Sequence, residues 1–259
     1  MEKNQLVTVI MPSYNCGKFV DNTIYSVQAQ TYQNWELLFV DDYSKDDSVQ
    51  KVMALAAADS RIKVFKNSKN SGAAVSRNKA LKEAKGRWIA FLDSDDLWEP
   101  TKLERQIEFM EKNKYAFSYT RYSEIDEDGR ELGTIIGGPK HISKQGMYAY
   151  CWPGCLTVMY DANKIGLVQI ADIKKNNDYA IWLKVCRKAD CYLLDDCLAK
   201  YRHRTGSISN HGYLALIKWH YKLFHDAEGM NMLASSLMTV VNMFFGVMKK
   251  LLYMKRQSI

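Results

Sequence analysis

Four short apolar runs, each closed by a polar turn, restrict the first hundred residues to an alternating strand and helix fold. Residues 6–11, 35–40, 62–65 and 87–92 read as buried strands. Between them, residues 19–29 place Val20, Ile24 and Val27 on one helical face, and Val49, Val52, Met53 and Ala56 form the apolar stripe of a second helix whose start is marked by Ser44 and Asp47. A third helix over residues 73–84 is ended by Gly86. Repeated strand, helix, strand units imply a mostly parallel, Rossmann-like α/β sheet with right-handed crossovers. Such sheets bind ligands beyond the carboxyl ends of their strands, where Tyr14, Asp42 and the run Asp93-Ser94-Asp95-Asp96 gather.

The second half is less regular. A helix is expected over residues 100–113 and a strand over 115–122, followed by a tight turn at Asp126-Glu127-Asp128-Gly129. Residues 133–146 read as a mobile loop, 155–160 as a strand, 178–188 as a helix, and 192–201 as a pair of short strands around Asp195-Asp196. At 259 residues with 47% hydrophobic and 25% charged content, the chain suits one substantial soluble domain with an appendage. Its six Cys residues show no paired Cys-x-x-Cys spacing, and no signal segment precedes Leu6, so the expectation is a cytoplasmic protein with free thiols. The net charge of +7 suits phosphorylated substrates or anionic lipid. No long basic run interleaved with aromatics supports nucleic acid as a partner.

The acidic run carries the chemistry. Three carboxylates at the end of a buried strand repel one another and lose hydration, which a divalent cation relieves; Mg2+ and Mn2+ prefer carboxylate oxygens and keep positions open for substrate phosphates. The alternative is an acidic cap for the helix that Pro100 opens.

Taken together, Val9-Ile10-Met11-Pro12-Ser13-Tyr14-Asn15, Phe39-Val40-Asp41-Asp42-Tyr43-Ser44, Asn70-Ser71-Gly72-Ala73-Ala74-Val75-Ser76-Arg77-Asn78 and Phe91-Leu92-Asp93-Ser94-Asp95-Asp96 resemble the successive motifs of family 2 glycosyltransferases. The resemblance covers about residues 6–210. It implies a GT-A fold, a nucleotide-sugar donor, an Mn2+ or Mg2+ cofactor and inversion at the anomeric carbon. It places Pro12 and Tyr14 in the first strand-to-helix turn against the base, with a half-buried loop aromatic as the alternative for Tyr14, and Asp42 on the imide N–H of uracil with Asp41 supporting the turn or ribose region, turn capping being the alternative for both acids. Arg77 is set on the nucleotide or its phosphates, with an exposed helix Arg as the alternative. Asp95 becomes the metal ligand, with Asp93 and Ser94 at the ribose or donor sugar. Asn176-Asn177-Asp178 resembles the family's Glu-Asp segment with Asn177 in place of Glu, which leaves Asp178 as the catalytic base; helix capping is its alternative role. Arg202-His203-Arg204, within the late motif running to Ser209, sets Arg202 and Arg204 toward the diphosphate, while the displaced His203 is not a convincing metal ligand.

The resulting expectation is an inverting transferase that moves a sugar from a UDP-sugar to a saccharide or a polyprenyl-diphosphate-linked saccharide of a surface polysaccharide. Residues 1–98 form its nucleotide-sugar half, 99–212 its acceptor half, and 213–259 an amphipathic helical region. A sugar nucleotidyltransferase is the second reading, disfavoured because a Gly-rich basic loop does not follow the first strand; a non-catalytic sugar- or lipid-binding module is the third. In the tail, residues 230–253 carry Asn231, Ser235, Thr239, Asn242, Gly246 and Lys249 at helical spacing, and the least polar stretch is about twelve residues, short of the roughly twenty a span needs. The helix is therefore expected to lie on an anionic membrane at the inner face of the cell membrane. Packing of its apolar face on the catalytic domain, or on a second subunit in a homodimer, is the alternative.

Overall fold

The structure, a computed structural model, describes residues 5–204 and 213–256. Strands β1 (Val7–Ser13), β2 (Trp35–Asp41), β3 (Ile62–Lys66) and β4 (Trp88–Phe91) are parallel in the order β3-β2-β1-β4. Their unbroken apolar sequences follow from helices on both faces: α1 (Val20–Gln28), α2 (Ser48–Ala58) and α3 (Ala73–Glu83) cross over between them. Pro12, expected in the turn, lies inside β1 opposite Val40.

Beyond β4 come β5 (Leu97–Trp98), α4 (Lys102–Asn113), β6 (Phe117–Ile125), β7 (Glu131–Ile136), β8 (His141–Ile142), α5 (Lys144–Ala149), a 3-10 turn at Cys155–Thr157, β9 (Met159–Asp161), α6 (Ala162–Ile165), α7 (Asn177–Cys186), β10 (Cys191–Arg202), α8 (Tyr213–Lys222), a π-type turn at Leu223–Ala227, α9 (Met232–Tyr253) and β11 (Met254–Arg256). The sheet continues from β4 through antiparallel β9 to β6, β7 and β11, and β10 runs parallel to β6.

Four expectations are corrected. Residues 133–146 form no continuous loop: β7 pairs back on β6, and β8 pairs β10. The two short strands expected over 192–201 are one strand with a bulge, because Asp195 and Asp196 turn out to ion-pair with Arg121 and Arg105 while the ladder with β6 resumes at Cys197. The strand expected over 155–160 is confined to β9. Helix α9 has 22 residues, long and apolar enough by composition to cross a membrane. Its polar stripe faces the protein: Ser235, Thr239 and Asn242 are buried, the Asn242 amide donates to the Tyr148 carbonyl (3.1 Å) and the Tyr179 hydroxyl (2.9 Å), and the Lys249 ammonium donates to the Trp152 carbonyl (2.7 Å). Gly246 leaves room for the Tyr150 ring, which a Cβ there would meet at 3.1 Å. Most of the apolar side points outward, the reverse of a helix that packs its apolar face on the domain.

Lys102 was not anticipated. It is fully buried in the first turn of α4, its ammonium 2.9 Å from Gln106 Oε1 and 4.1 Å from the Trp98 ring centre, and burial pushes its pKa from 10.5 down to about 7. Between about pH 7 and 10.5 the unfolded chain binds a proton that the folded chain does not, so this group raises stability with pH across that window, by up to ~1.4 kcal/mol per pH unit, and contributes no slope below it. Thermal melts at pH 7 to 10 are expected to show a smaller rise in Tm for Lys102→Met than for the natural chain. Equal slopes would show that Lys102 titrates as if in water.

Candidate active site

Strands β2, β1 and β4 end side by side. Ser13 lies opposite Asp41, and the Leu92 amide donates to the Ile10 carbonyl, so the turns after these strands converge on one rim. Tyr14 stands on that rim, 45% exposed, with its ring open to a planar ligand. Asp41 and Asp42 are both buried. Asp42 Oδ1 accepts from Asn67 Nδ2 (2.9 Å) and the Ser71 amide (2.8 Å), and Oδ2 from the Gly72 amide (2.7 Å). It therefore shapes the loop into α3, where Gly72 holds φ +90°, and retains acceptor capacity on Oδ2 for one further donor. Asp41 Oδ2 accepts from the Ser44 amide, while its buried Oδ1 has no donor among the described residues.

Arg77 is not an exposed helix residue. Buried in α3, it bonds Asp93 Oδ1 (2.5 Å) through one guanidinium nitrogen and the Asn177 side-chain oxygen through the other, so it ties the strand-end acids to the start of α7. Burial opposes its charge, but Asp93, Cys155 and Asp178 together outweigh this, and its pKa is raised. Arg77 Nε and Asn176 Nδ2 are buried donors without acceptors among the described residues.

The acidic run is a tight turn in which the Asp96 amide donates to the Asp93 carbonyl (3.1 Å) and the Ser94 carbonyl accepts from Thr23 Oγ1 (3.1 Å). Strand β10 delivers two arginines to it. The Arg202 amide donates to Asp96 Oδ1 (2.9 Å), and the Arg202 guanidinium is spent on the Asp95, Asp126 and Glu127 carbonyls; Arg204 Nε meets Asp95 Oδ2 at 2.5 Å. Burial raises the Asp95 pKa, with Asp93 adding repulsion and Arg204 opposing it; Asp96 is pushed up further by burial and by both neighbours. Burial leads in both cases, with Arg77, Arg202 and Arg204 standing around the three acids; a cation held by Asp95 would further stabilise the ionised forms. Among the described residues no three His, Cys, Asp or Glu side chains converge as a closed metal cage. That suits Mg2+ or Mn2+, which bind through one or two carboxylates plus substrate phosphates. His203 turns away to Glu124.

Asp178 occupies the first turn of α7, after Asn176 in the left-handed region (φ +57°), and is half-buried with Oδ1 accepting from the Tyr179 amide (2.9 Å). Sequence reasoning missed the role of Asn177, whereas Asp41 supports the turn after β2 as expected, through the Ser44 amide. Asn177 read as a lost acid, yet its amide oxygen serves as the acceptor Arg77 needs, a contact between residues a hundred positions apart that no local spacing announces. The end of the late motif, from Thr205 through Ser209, lies outside the described residues.

Carboxylates and arginines on the rim of a Rossmann-like sheet are the arrangement of a GT-A transferase fold. The glycosyl transferase family 2 model matches residues 8–166, and the chain belongs to that family. It is 42% identical over 214 residues (82% of this chain, 85% of the relative) to TuaG of Bacillus subtilis, to which a role in teichuronic acid biosynthesis is ascribed. It is 41% identical over 214 residues (82% of each chain) to the Escherichia coli UDP-Glc:alpha-D-GlcNAc-diphosphoundecaprenol beta-1,3-glucosyltransferase WfgD. In fold it resembles Staphylococcus aureus TarS 1-349 bound to UDP-GlcNAc, with a TM-score of 0.70 at 18% identity, covering 91% of this chain and 70% of that one.

Proposed function

We propose that the chain is an inverting, metal-assisted glycosyltransferase that moves a hexose from a UDP-sugar to a saccharide-diphosphate-polyprenol during surface polysaccharide synthesis. The observation that supports this reading is the Asp93–Asp96 turn at the strand ends, with Arg202 and Arg204 on one side and Asp178 beyond Arg77 and Asn177 on the other. The name of WfgD supports the acceptor class, and its transfer from UDP-Glc, an α-linked donor, to a beta linkage supports the stereochemistry.

Residues 1–98 are assigned to the donor and 99–212 to the acceptor. In the donor half, Tyr14 stacks on the base, Pro12 sets the strand end that presents it, and the remaining Asp42 acceptor position takes the uracil imide N–H. Asp93 and Ser94 position the ribose or sugar, and Arg77 fixes Asp93. Asp95 would hold the divalent cation, whose chemistry there would be to neutralise charge on the departing diphosphate. Arg204 faces the same diphosphate, with Arg202 holding the turn. Asp178 removes the acceptor hydroxyl proton as that oxygen attacks the anomeric carbon from the side opposite the diphosphate. The site of action is the inner face of the cell membrane, where such acceptors are embedded.

Incubation of the purified chain with UDP-Glc, UDP-GlcNAc or UDP-Gal and a GlcNAc-diphosphate-alkyl acceptor is expected to release UDP only with Mn2+ or Mg2+ present. Undiminished release in excess EDTA would overturn the metal assignment. Absence of transfer from every donor would overturn the reaction.

A further inference from the structure

Helix α9 offers solvent a face that a soluble surface does not normally show. Leu233, Leu237, Val240, Phe244, Val247 and Leu251 recur at alternating steps of four and three, and are 57–82% exposed. The stripe runs the length of a 22-residue helix, about 33 Å. The opposite face is fixed to the protein through Ser235, Thr239, Asn242 and Lys249, and β11 pairs antiparallel with β7 immediately after the helix. A helix that buries Ser235, Thr239 and Asn242 against the domain and bonds to it through Asn242 and Lys249 cannot also span a bilayer, so its apolar face is available only to a surface lying beside it.

Charge identifies that surface. Residues 232–256 contain no Asp or Glu, and Lys250, Lys255 and Arg256 stand at the end of the stripe. The positions that flank the seam are Ala234, Val241 and Met248 on one side and Ser236, Met243 and Lys250 on the other, without the opposed charges that set the register of a paired coiled coil. A cavity of about 370 Å³ opens at the same end, lined by Arg121, Lys140, Lys255, Ile135 and Leu252. Arg121 is paired with Asp195, whereas Lys140 and Lys255 have no ion-pair partner among the described residues. Leu252 belongs to both the cavity wall and the exposed apolar surface.

We infer that the outward face of α9 seats the protein flat on an anionic bilayer, with a phospholipid headgroup phosphate held in the cavity by Lys140 and Lys255. This rests on the reading of the acceptor as lipid-linked and adds how the enzyme reaches it. Asn242 of α9 bonds the hydroxyl of Tyr179, the neighbour of Asp178, so the docked helix is one side chain removed from the base.

The test uses the full chain and sedimentation with vesicles of phosphatidylcholine alone or mixed with phosphatidylglycerol. The natural chain is expected to bind the mixed vesicles more tightly. Leu237→Ser/Phe244→Ser, both on the exposed face, is expected to weaken binding to both compositions by ~10-fold or more. Lys140→Ala/Lys255→Ala is expected to remove about 25-fold of the preference for the anionic vesicles. All variants should retain UDP affinity and transfer to the soluble alkyl acceptor, which separates failure of docking from failure of the glycosyltransferase reading. Equal sedimentation of natural chain and variants would overturn the inference, as would a dimer that Leu237→Ser/Phe244→Ser dissociates in the absence of any vesicle binding.

Discussion

Replacement of Asp178 by Asn is expected to lower kcat for transfer by about 10²- to 10⁴-fold, the range a positioned general base contributes, while leaving UDP affinity nearly unchanged. The substitution preserves shape, and the Asn side-chain oxygen still accepts from the Tyr179 amide, so α7 keeps its first-turn contact and Tm should hold. The acceptor proton then has no carboxylate to receive it. Stopped assays for transfer, titration with UDP and a thermal melt separate the possibilities. Wild-type turnover in the variant would remove Asp178 from the chemistry, and lost UDP affinity would make it a residue of the donor site.

A second large effect is expected at Asp95, where Ala should abolish cation-dependent donor binding and transfer. Its stability signature is opposite to that of an ordinary buried side chain. Burial and the charge of Asp93 raise the Asp95 pKa, so its ionised form is held at a loss of folding free energy that Ala removes. Activity is therefore expected to fall while Tm holds or rises, a pattern seen where a fold retains strained charge for function. Turnover with unaltered Mn2+ dependence would refute the assignment. A collapse of Tm would instead make the Arg204 pair structural.

The donor half was readable because its signals are local. Uninterrupted apolar runs gave β1, β2, β3 and β4 within a residue or two, and a parallel sheet obliges their following turns to share one rim. The second half resisted because its elements answer to distant partners. β7 is a strand since β6 supplies its ladder, and β10 continues past Asp195 and Asp196 since Arg121 and Arg105 receive them. The candidate site divides in the same way. Asp42, Asp93 and Asp95 follow apolar runs and could be picked out; the Arg77 to Asn177 contact spans a hundred residues and was invisible. In α9 the periodicity was legible, and the expected outward turn of its apolar face agrees with the exposure of that face; the distant residues that hold the polar face, Tyr148, Trp152 and Tyr179, were not legible.

The pairing of β11 with β7 has a consequence for how these molecules behave in company. Open strand edges are templates on which other chains add. At the far side of this sheet, the backbone of residues 134–136 is covered by Met254, Lys255 and Arg256, so the molecule supplies its own guard, and that guard bears two cations. The polypeptide that reaches the guard is α9 itself. Loss of α9 from its seat would draw β11 away with it and leave the backbone of residues 134–136 open for a second chain to pair with, so the seat of the helix also protects the sheet.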